Sequence, residues 1–433
     1  MAVDKNLFLY NLAVVSIMKN EAPYVKEWLD YHLLAGVEHF YIYDNESPDN
    51  LKEILQPYIN AGIVTYKLYP GKARQYEAYN EAVQDYKFLC RYMAFIDADE
   101  FIFPQENKSI VEVVDEVLAD KPNAGGLAAN IYYFGSNFQE KADYSRGVLE
   151  RFTRRAPTDW TPLIGAQQNI PGGTAHVSTI TNPRRVNFFF NPHFAVYLEG
   201  FHAVNENGGI VPSFSNNPPT VNKIAMNHYS VKSFEEWQAK VKRGTADAYH
   251  NIYNLEKFKE DDHNEVFDDS ILKYRAARII QTGGTVKLAD YPKCYNILLQ
   301  NISPVFTKNP PNEFFKGKTE LFLVCRRLAE HLGEKFLDEK SSKFFEEAAL
   351  NAVYRTLYSN IMWSDVRLLI NELPKILSLN YPVVEKIRQA SIVLIPQMLN
   401  AFRVYDANAW KEFVNLKYIL AMLQDFNSYE HKK

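Results

Sequence analysis

Apolar and polar residues alternate along the first hundred positions in a βα rhythm. "LAVVSIM" (Leu12–Met18) is an unbroken, β-branched-rich run, the pattern of a strand buried on both faces. In "APYVKEWLDYHLLAG", Tyr24, Trp28, Tyr31 and Leu34/Ala35 recur at helical spacing, with Pro23 in the first turn and Gly36 as the stop. "HFYIYD" (His39–Asp44) predicts a second strand. Ser47-Pro48-Asp49 then predicts a capped helix through "NLKEILQPYI" with Pro48 in its first turn. "GIVTYKLY", "ARQYEAYNEAVQDYKFLC" and "YMAFID" continue as strand, helix and strand. Helix-length segments between strands imply right-handed crossovers and a mainly parallel twisted sheet flanked by helices, an α/β fold.

The middle of the chain reads differently. "GGLAANIYYFGS", "GVLERFTRR" and "VNFFFNPHFAVYLEGFHAV" look like strands and loops, and "NIPGGT" and "PSFSNNPPT" are turn signals. From about Ser233 the pattern turns helical, in "SFEEWQAKVKRGTADAYH", "DDSILKYRAARIIQ" and several later segments. These shifts predict an α/β domain, drawn at 1–248, and an all-helical C-terminal region over 249–433, with 287–311 as a linker zone. The 433 residues are enough for both.

Composition narrows the picture a little. The net charge of -4 makes no case for a nucleic-acid partner. The aromatic share of 14% suits sugar-stacking surfaces, but suits large aromatic cores better. Three widely spaced cysteines make neither a disulfide framework nor a zinc site, which points to a reducing compartment. With no leader-like or membrane-spanning run, the expectation is a cytoplasmic protein with room for peripheral contact at the inner face of a membrane.

The chemistry concentrates in "FIDADEFIFP" (Phe95–Pro104). If the extended backbone continues, Asp97 and Asp99 share one face at the C-terminal end of the fourth strand, the edge where open α/β sheets hold ligands. Two carboxylates there repel unless a hard divalent cation bridges them and leaves positions for phosphate oxygens. Alternation turns Glu100 away, toward a supporting role. Lys19-Asn20-Glu21 and "YDNESPDN" follow the first two strands at the same edge, so Asn20, Glu21, Asp44 and Asn45 are nucleoside-binding candidates; turn chemistry accounts equally well for Asp44 and Asn45. Gln75 and Asn80 start the third helix, with Lys72 and Arg74 as phosphate partners or a solvated basic turn. His228 ends the apolar run "KIAMNH" and offers a third metal ligand, although a lone histidine is more often structural. Lys232, Lys240, Lys242 and Arg243 are placed to cover a diphosphate; for the last three a charged helix face is the plain alternative.

Taken together, "SIMKNEAPYVKEWLDYHLLAGVEHFYIYDNESPDN", "RQYEAYNEA", "YMAFIDADEFIFP", "YYFGS", "LERFTRR" and "NHYSVKSFEEWQAKVKRG" resemble family 92 glycosyltransferases over roughly residues 12–248. That family is related to family 2 and includes animal and plant galactosyltransferases and bacterial members; a galactan synthase-like bacterial member is the expectation here. The resemblance implies a GT-A fold and metal-dependent transfer of a hexose from a UDP-sugar, with inversion, to a glycan, lipid-linked or other glycoconjugate hydroxyl. By position it makes Asp97 and Asp99 the metal-binding D-x-D, with Mn²⁺ or Mg²⁺. His228 completes the metal site, Asn20, Glu21 and Asp44 hold the nucleoside, Lys232 and Ser233 lie beside the diphosphate, and "FGS" (Phe134-Gly135-Ser136) lies on the acceptor side. The acid pair that many inverting relatives carry before the histidine strand is missing. Glu206 is the leading candidate for the catalytic base and Glu199 the second. A nucleotidyltransferase is disfavoured because "MKNEAP" lacks a glycine-rich phosphate loop. A catalytically inactive nucleotide-sugar-binding or scaffold protein is the non-enzyme alternative.

Overall fold

The computed structural model describes residues 10–87, 89–164, 170–245 and 253–284, and near the C-terminus 382, 384–389 and 391–392. The chain divides into two compact units, Tyr10–Lys293 and a second made of Met1–Leu9 with Cys294–Lys433. The first unit therefore includes residues that the sequence pattern assigned to the helical region. Apart from a helical stretch at 384–389, the expected C-terminal helices past 284 and the linker zone lie outside the described residues.

The first unit opens with the expected alternation: β1 (Tyr10–Met18), α1 (Ala22–Leu34), β2 (His39–Asp44), α2 (Leu51–Asn60), β3 (Val64–Leu68), α3 (Gln75–Tyr86) and β4 (Cys90–Phe95). Then follow β5 (Glu100–Pro104), α4 (Ile110–Leu118), β6 (Ala124–Tyr133), α5 (Val148–Arg151), β7 (Arg154–Arg155), β8 (Leu163–Ile164) and β9 (Ile170–Pro171). The remainder comprises β10 (Val177–Thr181), β11 (Val186–Phe189), β12 (Ala195–Tyr197), β13 (His202–Val204), β14 (Ile210–Val211), β15 (Ile224–His228), α6 (Phe234–Arg243), α7 (Leu255–Asp261), β16 (Val266–Phe267) and α8 (Ser270–Thr282).

The central sheet runs β14-β13-β6-β10-β4-β1-β2-β3, and β15 pairs with both β6 and β5. The β4-β1-β2-β3 run is parallel throughout. β4, β1 and β2 are buried along almost their whole length, which is why they read as continuous apolar runs, while β3 at the edge is buried only at Val64. Helices α1, α2 and α4 supply apolar faces to one large core that includes Trp28, Leu29, Leu55 and Val114. Many of the largest buried rings, among them Trp28, Tyr41, Tyr79 and Phe101, lie in the interior.

Two local expectations change. The second helix begins at Leu51, after the Ser47-Pro48-Asp49 segment rather than on it. Asp49 spends its carboxylate on two amides, Leu51 N at 3.2 Å and Ala22 N at 3.0 Å, and so ties the starts of α1 and α2 together. The strand predicted through Asp97 ends at Phe95. Asp97–Glu100 is a tight turn closed by Glu100 N donating to Asp97 O at 3.1 Å, and the short "FIFP" tail becomes β5, antiparallel to β15.

Candidate active site

The turn corrects the reasoning that joined Asp97 to Asp99. Their relation comes from a reversal of the chain and not from strand alternation, because the backbone closes on itself one residue after Phe95–Ile96. The turn delivers Asp99 to the partner expected for it. In the β5–β15 register Glu100 stands opposite His228, and Tyr229 N donates to Asp99 O at 2.8 Å. His228 Nε2 then lies 3.3 Å from Asp99 Oδ1. Asp97 is held on the other side of the turn, accepting from Gln75 Nε2 at 2.8 Å.

Helix α6 brings cations to the same carboxylate. Ser233 caps it in a reciprocal capping box with Glu236. From that start, Lys240 reaches Asp99 Oδ2 at 3.0 Å and also donates to Ser230 O. Lys232, just before the helix with φ 56°, stands 3.8 Å from the same oxygen and 4.7 Å above the Tyr24 ring. Arg243 pairs with Glu21 and donates to Lys19 O at 3.0 Å, so α6 is fastened to the end of β1. Lys242 is exposed, as a charged helix face would have it. Lys240 and Arg243 are not: Lys240 sits four and three residues on from the buried Glu236 and Trp237, and Arg243 one turn further, seven residues from Glu236, on the same inward side.

Burial alone would raise Asp99, but Lys240, His228 and Lys232 outweigh it and hold the carboxyl well below its ordinary range. Burial lowers His228, yet Asp99 more than compensates and its imidazole is shifted up. Burial lowers Lys232 despite Asp99 and Glu21. Glu100, almost fully buried, is pushed up to about 8 by burial, with Asp97 and Asp99 adding to the shift and His228 opposing it. It stands 3.9 Å from both His228 and His193. The sequence reading gave Glu100 only a supporting place, whereas its carboxyl sits against the imidazole that faces Asp99.

The other candidates separate. Glu21 stays at the site, with Oε2 buried and unpartnered, and the buried Oδ1 of neighbouring Asn20 is likewise unpartnered. Asp44 has both oxygens engaged, by Ser47 N at 2.9 Å and Tyr66 OH at 2.7 Å. Asn45 donates to Tyr69 O and Gly71 O, so turn chemistry accounts for its side-chain amide. Asn80 brackets Phe189 N and O, fixing α3 to β11. Ser233 is spent on its cap. Lys72 is exposed, and Arg74 pairs with Glu77 over the Tyr69 ring.

Neither candidate base joins the cluster. Glu206 is buried, with its carboxylate accepting Asn222 N (2.7 Å), Lys223 N (2.7 Å) and Ile224 N (3.1 Å). Ile224 is the opposite end of β15 from His228, about 13 Å away along an extended strand. Glu199 lies in an exposed turn between β12 and β13. The three amides explain Glu206 completely: it closes the loop that feeds β15.

The donor types, carboxylates and an imidazole with Nε2 turned to Asp99, suit a divalent cation. They fit as a two-ligand seat rather than a cage. Asp99 and His228 converge, Asp97 is engaged by Gln75, and among the described residues no three His, Cys, Asp or Glu side chains converge closely enough to hold a metal ion. Asp261–His263 escaped the sequence reading. They are brought in by tertiary contacts with Phe134-Gly135-Ser136 that no local pattern foretells.

Comparison with known proteins puts these residues in a wider setting. The sequence model of Glycosyltransferase family 92 matches residues 14–262. A rice glycosyltransferase family 92 protein is 29% identical over 147 residues, 34% of this chain and 25% of its own length. A castor-bean (Ricinus communis) glycosyltransferase family 92 protein is 24% identical over 238 residues, 55% of this chain and 38% of its own. A galactan β-1,4-galactosyltransferase of Arabidopsis thaliana is 30% identical over 110 residues, 23% of this chain and 21% of its own. The chain thus spans well under half the length of these curated relatives, which are plant proteins and lend nothing to the expectation of a bacterial member. Among solved structures, S. aureus TarS 1-349 in complex with UDP covers 82% of this chain and 95% of its own at 11% identity, with a TM-score of 0.27.

Proposed function

Because the chain belongs to glycosyltransferase family 92, we propose that it transfers a hexosyl group from a nucleotide-sugar to a hydroxyl of a glycan or glycoconjugate acceptor. UDP-galactose is the donor that the named activity of the galactan galactosyltransferase relatives favours. The observation that carries this reading is the Asp99–His228 pair at the C-terminal sheet edge, overhung by Lys232, Lys240 and Arg243. Paired acids at that edge bind no anion by themselves; with three cations beside them, the edge suits a diphosphate.

In the proposed reaction the acceptor oxygen bonds to the anomeric carbon as the bond from that carbon to the diphosphate oxygen breaks; the bonding pair leaves with the diphosphate and the acceptor's proton passes to solvent. A single displacement of this kind inverts the anomeric centre. Lys232, Lys240 and Arg243 face the charge that develops on the leaving diphosphate, and the fixed backbone of α6 means that little reorganisation is needed. Gln75 orients Asp97, and Glu21 with Asn20 offers unspent oxygens to the nucleoside. Asp99 and His228 would hold a divalent cation, Mn²⁺ or Mg²⁺, which when bound supplies charge neutralisation to the diphosphate. Neither Glu206 nor Glu199 is placed to take the acceptor proton, and neither has a part in this reading.

The test is a donor screen that measures released UDP or GDP from common nucleotide-sugars with Mn²⁺, Mg²⁺ or EDTA, followed by UDP titration of Asp99→Asn. Hydrolysis of one UDP-sugar and a loss of metal-dependent UDP affinity in the variant are expected. A wild-type protein that neither binds nor cleaves any nucleotide-sugar sinks the reading. Unchanged affinity in Asp99→Asn removes the metal role alone.

A further inference from the structure

Next to the acid cluster stands a wall of rings that the steps above do not use. Tyr133, the last residue of β6, packs its ring 5.4 Å from that of His228 and shares a 3.0 Å hydrogen bond with His176 Nδ1. Trp160 stands edge-on to Tyr133 at 5.5 Å, and His263 packs against Trp160 at 4.1 Å. The tryptophan is therefore two ring contacts from the imidazole that faces Asp99.

Core packing is the plain explanation for adjoining rings, and it fails here on two counts. Core rings such as Tyr79 and Phe95 are wholly buried, while Tyr133, Trp160, His228 and His263 all keep part of their surface open. The wall is also held by its own anchors. A side chain at position 173 would meet a Trp160 ring carbon at 2.7 Å, and one at position 135 would meet the His263 carbonyl oxygen at 2.2 Å, so both glycines let the backbone close in. Ser136 N and Oγ donate to Asp262 at 2.6 and 3.0 Å, Asn137 N donates to Asn264 Oδ1 at 2.7 Å, and β16 pairs with β7. Three flexible-looking stretches are thereby locked into one ledge beside the reactive pair.

The chemistry of the ledge selects a class of ligand. An aromatic face carries negative charge density and attracts the C–H groups that a hexopyranose shows from one face, while ring hydroxyls at the rim can bond to polar edges. Burial lowers His176 to about 4 and His193 to about 3, with neighbouring imidazoles adding to each shift. The charges beside the ledge are paired with one another, Lys257 with Asp261 at 2.8 Å and His263 Nδ1 with Glu265 at 2.9 Å, which leaves little net pull on an anion. The ledge is suited to an uncharged, polyhydroxylated ligand.

We infer that Trp160, backed by Tyr133 and His263, is the platform on which a glycosyl unit of a neutral oligosaccharide acceptor stacks beside the Asp99–His228 pair. This rests on the transferase reading and names its second substrate. The experiment compares full-length wild type, Trp160→Phe and Trp160→Ala in titrations with β-1,4-galactotetraose, cellotetraose and β-1,4-mannotetraose, and separately with UDP and Mn²⁺. Wild type should bind at least one oligosaccharide, Trp160→Phe should stay within about threefold, and Trp160→Ala should bind at least about tenfold more weakly with UDP affinity unchanged. The platform is overturned if wild type binds none of the three, if Trp160→Ala binds as tightly as wild type, or if it loses UDP affinity in the same proportion. The two readings fail separately. Loss of oligosaccharide binding in Trp160→Ala alongside a wild type inert toward every UDP-sugar keeps the platform and removes the transferase. Intact UDP-sugar hydrolysis with unchanged oligosaccharide binding in Trp160→Ala does the reverse.

Discussion

The inward side of α6 depends on one ion pair a turn before Lys240. Arg151 and Glu236 have side-chain exposures of 1% and 2%, and the guanidinium grips the carboxylate through two bonds, at 2.9 and 2.6 Å. Glu236 also accepts from Ser233 N and Tyr24 OH, so the pair joins α5, the cap of α6 and α1. Replacing Arg151 by Met keeps most of the volume and strands a buried carboxylate. Leaving such a charge unpaired costs about 3–5 kcal/mol, a large part of a domain's stability. That cost corresponds to about two to four orders of magnitude in the local opening equilibrium. Hydrogen exchange read over 233–243 in the full-length protein should lose that much protection. The pH dependence is distinctive. Burial pulls Glu236 up, and at present the hydrogen bonds from Arg151 and Ser233 outweigh it and hold the carboxyl below its ordinary range. Without Arg151, burial prevails and the folded-state pKa rises above 4.5. A raised carboxyl contributes stability below its unfolded pKa and loses it as pH rises through the folded value. Arg151→Met should therefore be nearer to wild type at pH 5 than at pH 8, and adding Glu236→Leu should restore much of the loss. Protection unchanged in Arg151→Met, or a double variant no better than the single one, would refute the argument.

Three further outcomes are expected. His32 is a fully buried neutral imidazole, donating through Nδ1 to Trp28 O and accepting Ile102 N at Nε2, and burial lowers it to about 3. Its contribution is complete above 6.5 and lost as pH falls, about 2–3 kcal/mol by pH 4.5; urea unfolding of His32→Asn should lose that much less between pH 6.5 and 4.5, and parallel curves would refute this. Glu206→Gln should destabilise the fold by about 1–3 kcal/mol, since the amide can replace only one of two accepting oxygens, while donor hydrolysis per folded molecule is unchanged; a fall in hydrolysis with normal stability would return Glu206 to the chemistry. Lys240→Ala should weaken UDP binding at least about tenfold and Lys242→Ala should not, because of these two Lys240 meets Asp99 and Lys242 is exposed; equal effects would show that charge alone, not placement, matters.

The parts of this protein that were legible in its sequence are those that local periodicity governs. β1, β2 and β4 announced themselves because strands covered on both faces must be apolar at every position, and α1 because one face repeats. Asp99 and His228 do meet, but not by the alternation that joined Asp99 to Asp97: the backbone turns at Asp97–Glu100, leaves Asp97 with Gln75, and pairing between β5 and β15 brings Asp99 to the histidine. "FIFP" is too short, and too closely stopped by Pro104, to declare a strand without its partner. Glu206 shows the opposite failure. Its place in the chain suited a catalytic base, but three backbone amides from a loop sixteen to eighteen residues away claim its carboxylate, and no local signal carries that. One distinction was available and missed. Counting from the capping-box Glu236, Lys240 lies four residues on and Arg243 seven, one and two turns along the same face, while Lys242 at six falls off it, so the helix period alone divides the site cations from the solvated one. The ledge of Trp160 and His263 had no such rule behind it. Its only trace in the sequence is a glycine in "FGS" and another in "PGG", positions whose meaning depends on which distant backbone comes to rest against them.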